Sequence, residues 1–231
     1  MSQLGGNMGA FSDAVDEQVR QWALRNKKSD EQKKYRPIIT LSRAYGTEGD
    51  KIGEAVAKKL GFSFWNQKLV HTIAENSGLR ENLVQSLDEH SHSGVEDILS
   101  GLVLGEKGTL KGYVKEIFRV VHTIEAHGGA LIIGRGAQFI LKEKAFKVRI
   151  VAAKDCRINW VAKREKISTS DAEQKIDKVD QERFDFHQQH YGKNHLDPEV
   201  YDLCLNVEYL TQDAVVRLII KTYKDRFPGV V

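Results

Sequence analysis

The sequence predicts an α/β domain, a five-stranded parallel sheet with helices on both faces. Three observations lead there. Five short apolar runs occupy 38–42, 62–65, 130–134, 147–152 and 203–207. Segments of helical periodicity stand between and after them, at 50–60, 67–77, 110–127, 155–166, 171–190 and 211–225. Strands alternating with helices bury both faces of a parallel sheet, and the runs LIIG (131–134) and VRIVAA (148–153) have the continuous apolar character such strands need. The third observation is the turn at 43–49, polar and carrying Gly46 and Gly49 between the first strand and the first helix.

Residues 1–9 are expected to be disordered. Over 10–25 the apolar residues Phe11, Val15, Val19 and Trp22 are spaced by four, four and three, a stripe along one face of a helix. Its polar face is mixed in charge rather than basic, so docking on its own domain or on a partner subunit is favoured over a membrane surface. The helix would suit a homodimer. NKKSDEQKKYR (26–36) is a charged linker, so the chain divides into 1–36, helix and linker, and 37–231, the α/β domain.

Within that domain the stretch PIITLSRAYGTEGDKIGEAVAKKLG (37–61) has the layout of a strand–loop–helix unit that binds phosphate. Glycines let backbone N–H groups close around an anion, and a helix N-terminus adds partial positive charge. The pattern G-x-x-x-x-G-K-[ST] is not matched. Counted back from Leu60-Gly61, Gly49 falls at the usual lysine, Asp50 at the usual metal-binding Ser or Thr, and Glu48 at the adjacent glycine. Lys51 cannot replace the lysine, because two residues along a helix is a rotation of about 200°. Arg43 is the better stand-in, since a guanidinium can fork across two phosphate oxygens. Asp50 would contact magnesium through its carboxylate. The cofactor-binding candidates are therefore Arg43, Gly46, Thr47, Glu48, Gly49, Asp50 and Lys51. Glu48 and Asp50 oppose a polyanion unless a metal or arginines intervene, and an ordinary βα turn remains open.

The interval 78–109 has no strand signal and reads as a helix-rich insertion with glycine breaks. Arg135 follows the third strand between two glycines, where parallel strands end in the ligand crevice, and would grip an acceptor phosphate. Arg157 and Arg164 are seven apart and share a helix face, and Asp177, Asp180 and Arg183 form D-x-x-D-x-x-R on the next helix. Arginines closing over a transferring phosphoryl group stabilise its charge, and a solvated helix face fits the spacing equally well. Trp65 and Asn66 would contact a base or ribose, with Trp65 equally at home in a core. Asp88-Glu89 is a weaker acceptor candidate. His187, His190 and His195 lack a recognised zinc spacing and read as polar lid or loop residues.

The net charge of +3 does not support a dedicated nucleic-acid binder. Cys156 and Cys204 are expected to be buried, reduced thiols. No apolar run approaches a membrane span and no signal-peptide pattern opens the chain, so a cytoplasmic protein is expected.

Four segments in order, ITLSRAYGTEGDKIGEAVAKKLGFSFWNQKLV (39–70), GGALIIGRGAQFIL (128–141), KVRIVAAKDCRINWVAKREKIS (147–168) and DKVDQERFDFHQQHYGKNHLDPEVYDLCLNVEYLT (177–211), resemble the cytidylate kinase-like family, a branch of the P-loop nucleoside monophosphate kinases. The resemblance covers about 37–225 and implies an acceptor-binding insertion, placed at 78–127, and a lid, placed at 157–200. It implies transfer of the ATP γ-phosphoryl group, with Mg²⁺, to a nucleoside monophosphate, CMP or dCMP first. Arg43, Arg135, Arg183 and Arg164 then carry the catalytic roles, and Trp65, Asn66, Arg135 and Arg157 contact the acceptor. In that family position 66 is usually acidic, where this chain has asparagine. The alternatives are a nucleotide-binding regulatory protein with little or no kinase activity, and a kinase for another small acceptor.

Overall fold

The computed structural model describes residues 15–17, 19–22, 35–85, 87, 94–95 and 112–230. The elements run β1 (Ile38–Arg43), α1 (Gly49–Leu60), β2 (Ser63–Trp65), α2 (Gln67–Glu75), α3 (Ser77–Val84), α4 (Gly112–His127), β3 (Ala130–Ile133), α5 (Ala137–Ile140), β4 (Ala145–Val151), α6 (Lys154–Glu165), α7 (Thr169–Tyr191), β5 (Leu203–Asn206) and α8 (Gln212–Arg226). The five strands form one parallel sheet, as the alternation predicts, and their order is β2-β3-β1-β4-β5. Central β1 pairs with β3 (Thr40 opposite Ile132) and with β4 (Ser42 opposite Arg149). This register sets the C-terminal ends of β1, β3 and β4 side by side.

The chain divides into two compact units. Residues 36–64 and 130–231 form the first. Its core joins Ile39 and Leu41 of β1 to Ile52, Val56 and Leu60 of α1 and to Val215, Val216 and Ile219 of α8. Every second residue of a strand faces one side, and residues three and four apart on a helix share a face, so these sets meet without polar residues between them. Gly53 makes the approach of α1 close, since a Cβ there would lie 2.7 Å from Ile133 Cδ1. Gly61 ends α1 at φ +64 and donates its N–H to the Ala57 and Lys58 carbonyls, the usual left-handed stop.

Residues 1–35 and 65–129 form the second unit. Here α2 and α3 pack on α4. Residues 15–17 and 19–22 are helical, Val15 and Val19 are buried, and Trp22 meets Trp65 edge to face at 5.0 Å. The predicted stripe thus docks on its own chain. Its Phe11, most of 78–109 and the pair Asp88-Glu89 lie outside the described residues.

Two expectations need correction. The helix expected at 67–77 is two helices, because Asn76 leaves helical geometry (φ −105, ψ 113) and its side chain caps the second by accepting from the Leu79 N–H. Cys204 is exposed and Cys156 half-buried, both free thiols. β5 is an edge strand whose side chains alternate half-buried and exposed, and Cys204 falls on the exposed set. Among the described residues no helix is long and apolar enough to cross a membrane.

Candidate functional site

The site is built around the turn from β1 to α1. Arg43 is the last residue of β1. The chain then turns through Gly46 at φ +93 and Glu48 at φ 55 before α1 begins at Gly49. Glu48 adopts the left-handed region that glycine prefers and gives α1 no side-chain cap, so the helix N-terminus stays open. Thr47 turns inward and its hydroxyl donates to the Ala44 carbonyl at 2.9 Å. A Cβ at Gly46 would lie 3.0 Å from Val161 Cγ2, so α6 rests directly on the turn.

The charges of the turn pair with one another. Arg43 meets Asp50 at 3.2 Å, and Lys51 meets Glu48 at 2.6 Å. Arg164, on α6, comes within 4.0 Å of Glu48. Arg183, on α7, donates to the Arg43 carbonyl at 2.8 Å. Burial, with Arg43 adding to it, pushes the Arg183 guanidinium down to about 10, which leaves it charged at neutral pH. A cavity of about 210 Å³ is lined by the cations Arg43, Lys51, Arg164 and Arg183, by the carboxylates Glu48 and Asp50, and by Ala44, Tyr45, Gly46 and Gly49. A second cavity, of about 510 Å³, is lined by the apolar Ile52, Trp160, Val207, Leu210 and Val215 and by the polar Thr47, Lys163 and Gln212. Glu48 and Arg164 line both.

The acidic residues of the D-x-x-D-x-x-R face are paired, Asp177 at an exposed position and Asp180 at a half-buried one. Asp177 pairs with Lys154 at 2.8 Å. Asp180 pairs with Arg157 at 2.6 Å and accepts from the Tyr45 N–H at 3.2 Å. Arg157 is buried and also donates to the Tyr45 and Ala152 carbonyls. It braces the turn.

Arg135 sits at φ 55 between Gly134 and Gly136, both also at positive φ. Its carbonyl accepts from the Tyr191 hydroxyl at 2.5 Å, and its guanidinium lies 5.3 Å over the Phe186 ring. Its Nε is buried and finds no hydrogen-bond partner among the described residues. His187 and His195 stack 4.3 Å apart and 16° from parallel. Burial lowers both, His195 to about 3, and the charges of Arg149 and Arg183 push the same way. Neutral His187 donates from Nδ1 to the Arg183 carbonyl at 2.6 Å.

Trp65 is a buried core residue, and Asn66 caps α2 by accepting from the Leu69 N–H at 2.9 Å. Arg43, Gly46, Thr47, Glu48, Gly49, Asp50, Lys51, Arg157, Arg164 and Arg183 all gather at the turn. Two residues were missed. Arg149 is buried on β4 and donates to Ser42 Oγ and to the His195 carbonyl, at 3.2 and 2.8 Å. A lone charge inside the apolar run VRIVAA was its signal. Tyr45 gave no signal beyond an aromatic ring in a glycine turn.

The cytidylate kinase-like family matches residues 38–209, a span containing the turn, Arg135 and both helices α6 and α7. The chain belongs to the cytidylate kinase-like family. An uncharacterised protein from Eubacterium ventriosum has a solved structure similar to this chain, with TM-score 0.65 and 19% identity over 83% of this chain and 99% of its own. That likeness is one of fold. Shikimate kinase from Bacteroides thetaiotaomicron aligns with TM-score 0.42 and 13% identity over 82% and 97% of the two chains. Dephospho-CoA kinase from Campylobacter jejuni aligns with TM-score 0.38 and 14% identity over 82% and 97%. No curated protein matches the chain.

Proposed function

We propose that the chain transfers the γ-phosphoryl group of ATP, with Mg²⁺, to a nucleoside monophosphate, CMP or dCMP before others. One observation carries the reading. A cavity rich in cations on the glycine turn shares Glu48 and Arg164 with a larger cavity that has one apolar wall. The first suits the phosphates of a nucleotide and the second its base, against Trp160, Val207 and Leu210.

Phosphoryl transfer needs neutralisation and positioning more than covalent chemistry. Arg43, Arg164 and Arg183 converge on the turn and would spread over the donor phosphates. Arg135, held by Phe186 and with an unsatisfied Nε, would take the acceptor phosphate. A magnesium ion bound to phosphates uses one or two protein carboxylates, and exposed Asp50 fits that need; releasing Asp50 to a metal would also free Arg43 for phosphate. Arg157 is assigned to the loop rather than to direct substrate contact. Residues 78–127 are assigned the acceptor insertion and 157–200 the lid, with Trp65 and Asn66 at the start of the segment leading into the insertion. A homodimer through the N-terminal helix would need a face other than Val15 and Val19, which are buried in their own chain.

The internal pairing of the turn favours a second reading, a nucleotide-binding regulatory protein. Lys51 and Arg43 are already neutralised by Glu48 and Asp50. Calorimetric titration with ATP and Mg²⁺, then ADP release with CMP, dCMP, UMP and AMP, separates the two. Turnover with one monophosphate, abolished by Arg43→Ala, supports the kinase. Binding without release supports the regulator, and preference for an acceptor outside nucleotides points to another small-molecule kinase. No ATP binding ends both nucleotide readings.

A further inference from the structure

We propose that Tyr45 is a positioning residue that ties the phosphate turn to helices α6 and α7, so that an anion settling on the turn is felt along α7. The inference rests on the donor site proposed above. Every part of Tyr45 is engaged. Its N–H donates to Asp180 Oδ1 at 3.2 Å, its carbonyl accepts from Arg157 Nη1 at 3.2 Å, and its hydroxyl donates to Glu165 Oε1 at 3.0 Å. Its ring lies between two cations, Arg183 at 5.7 Å and Lys175 at 5.9 Å, and packs on the small core of Val161, Ala172 and Ile176.

These contacts come from both helices and from both the backbone and the side chain of one turn residue. Charge-assisted hydrogen bonds are the strong ones, and a packed ring resists sliding. A lid helix swinging away on its own would break the Asp180 bond, strand the Arg157–Asp180 pair and pull the ring from its core. The turn and the two helices therefore respond together. Arg183 closes the circuit, because it touches the Tyr45 ring, donates to the Arg43 carbonyl and lines the cationic cavity.

Hydrogen exchange with and without saturating ATP and Mg²⁺ tests this. In the wild type, nucleotide is expected to slow exchange both in the turn, 43–50, and in α7 over 176–187. Tyr45→Ala, at ATP concentrations that saturate it, is expected to show the turn slowed and α7 unchanged. Tyr45→Phe keeps the ring and backbone contacts, loses only the hydroxyl's interactions with Glu165 and Lys175, and should restore the α7 response. A merely structural residue would change affinity or stability and leave that transmission in place. Equal α7 protection in Tyr45→Ala and wild type, or wild-type protection confined to the turn, overturns the proposal.

Two further arms separate this inference from the functional reading. If Tyr45→Ala does not fold, Asp180→Ala removes the backbone tie and leaves the ring. If the wild type binds no ATP, the kinase reading fails while the coupling is still read without ligand. Asp180→Ala should then speed exchange of the Tyr45 and Gly46 amides by about tenfold or more, as expected when a local opening is made easier. Unchanged exchange there overturns the coupling.

Discussion

Gly49 lies against Arg43 so closely that a Cβ on the glycine would stand 2.7 Å from Arg43 Cβ and 2.9 Å from its Cγ. The first residue of α1 is thus what allows the last side chain of β1 to pass into the cationic cavity. Gly49→Ala should push Arg43 aside. The expected outcome is a stability loss of about 1–3 kcal/mol, the usual range for overpacking. ATP affinity should fall by about tenfold or more with it, because a guanidinium on phosphate contributes a charge-assisted bond. Thermal denaturation and calorimetry check the two halves separately.

Glu48 offers the opposite experiment. It holds a left-handed conformation at φ 55 and places a carboxylate where two cavities meet. Glu48→Gly should relieve about 1 kcal/mol of backbone strain and release Lys51. Glu48→Gln keeps the strain and removes only the charge. Both should bind ATP more tightly than wild type, and only the glycine variant should gain stability.

The stacked histidines set a pH dependence. Both are held below the ordinary histidine value in the folded protein, His195 at about 3. At a pH between that value and about 6.5 the unfolded chain binds more protons than the folded one. Their contribution is therefore fully present above about 6.5 and is lost as pH falls below it, for His195 down to about 3. The slope has an upper limit of about 1.4 kcal/mol per pH unit for each histidine. Denaturant unfolding at pH 7 and pH 5 should show wild type losing more stability than His195→Phe, which keeps a ring on His187. Equal losses would contradict the assignment.

How much of this was readable in advance follows from the range of each signal. Strand and helix periodicities are local, and they located all five strands and the glycine turn. The turn residues from Arg43 to Lys51 were legible for the same reason. Tyr45 was not, because its role depends on Glu165 and Asp180, which lie 120 and 135 positions away. A separation of 112 positions from Tyr45 likewise hid Arg157, whose helical spacing suggested a ligand and whose partners include the turn backbone and Asp180. Asn76 broke a helix for a local reason that periodicity alone does not register, since the apolar pattern of Leu69, Val70, Ile73 and Ala74 carries on past it to Leu79 and Leu83. The exposure of Cys204 needed the strand order, which placed β5 at an edge.

The N-terminal helix should contribute to folding. Val19 is fully buried and Trp22 sits on both Trp65 and His127, at 5.0 and 4.5 Å. Val19→Ala should cost about 1–2.5 kcal/mol through lost methyl burial and the cavity left behind. Deletion of residues 1–36 should lower the melting temperature further. Sedimentation of both forms reports whether the helix also carries an assembly, which a change in mass larger than the deleted segment would show.

Asn66 caps α2 with its side-chain oxygen, and an aspartate accepts the same bond equally well. Charge and architecture are therefore independent at this position. An engineer could install a negative charge there with Asn66→Asp, read its effect on nucleotide preference, and compare like with like, because the helix would begin where it begins now.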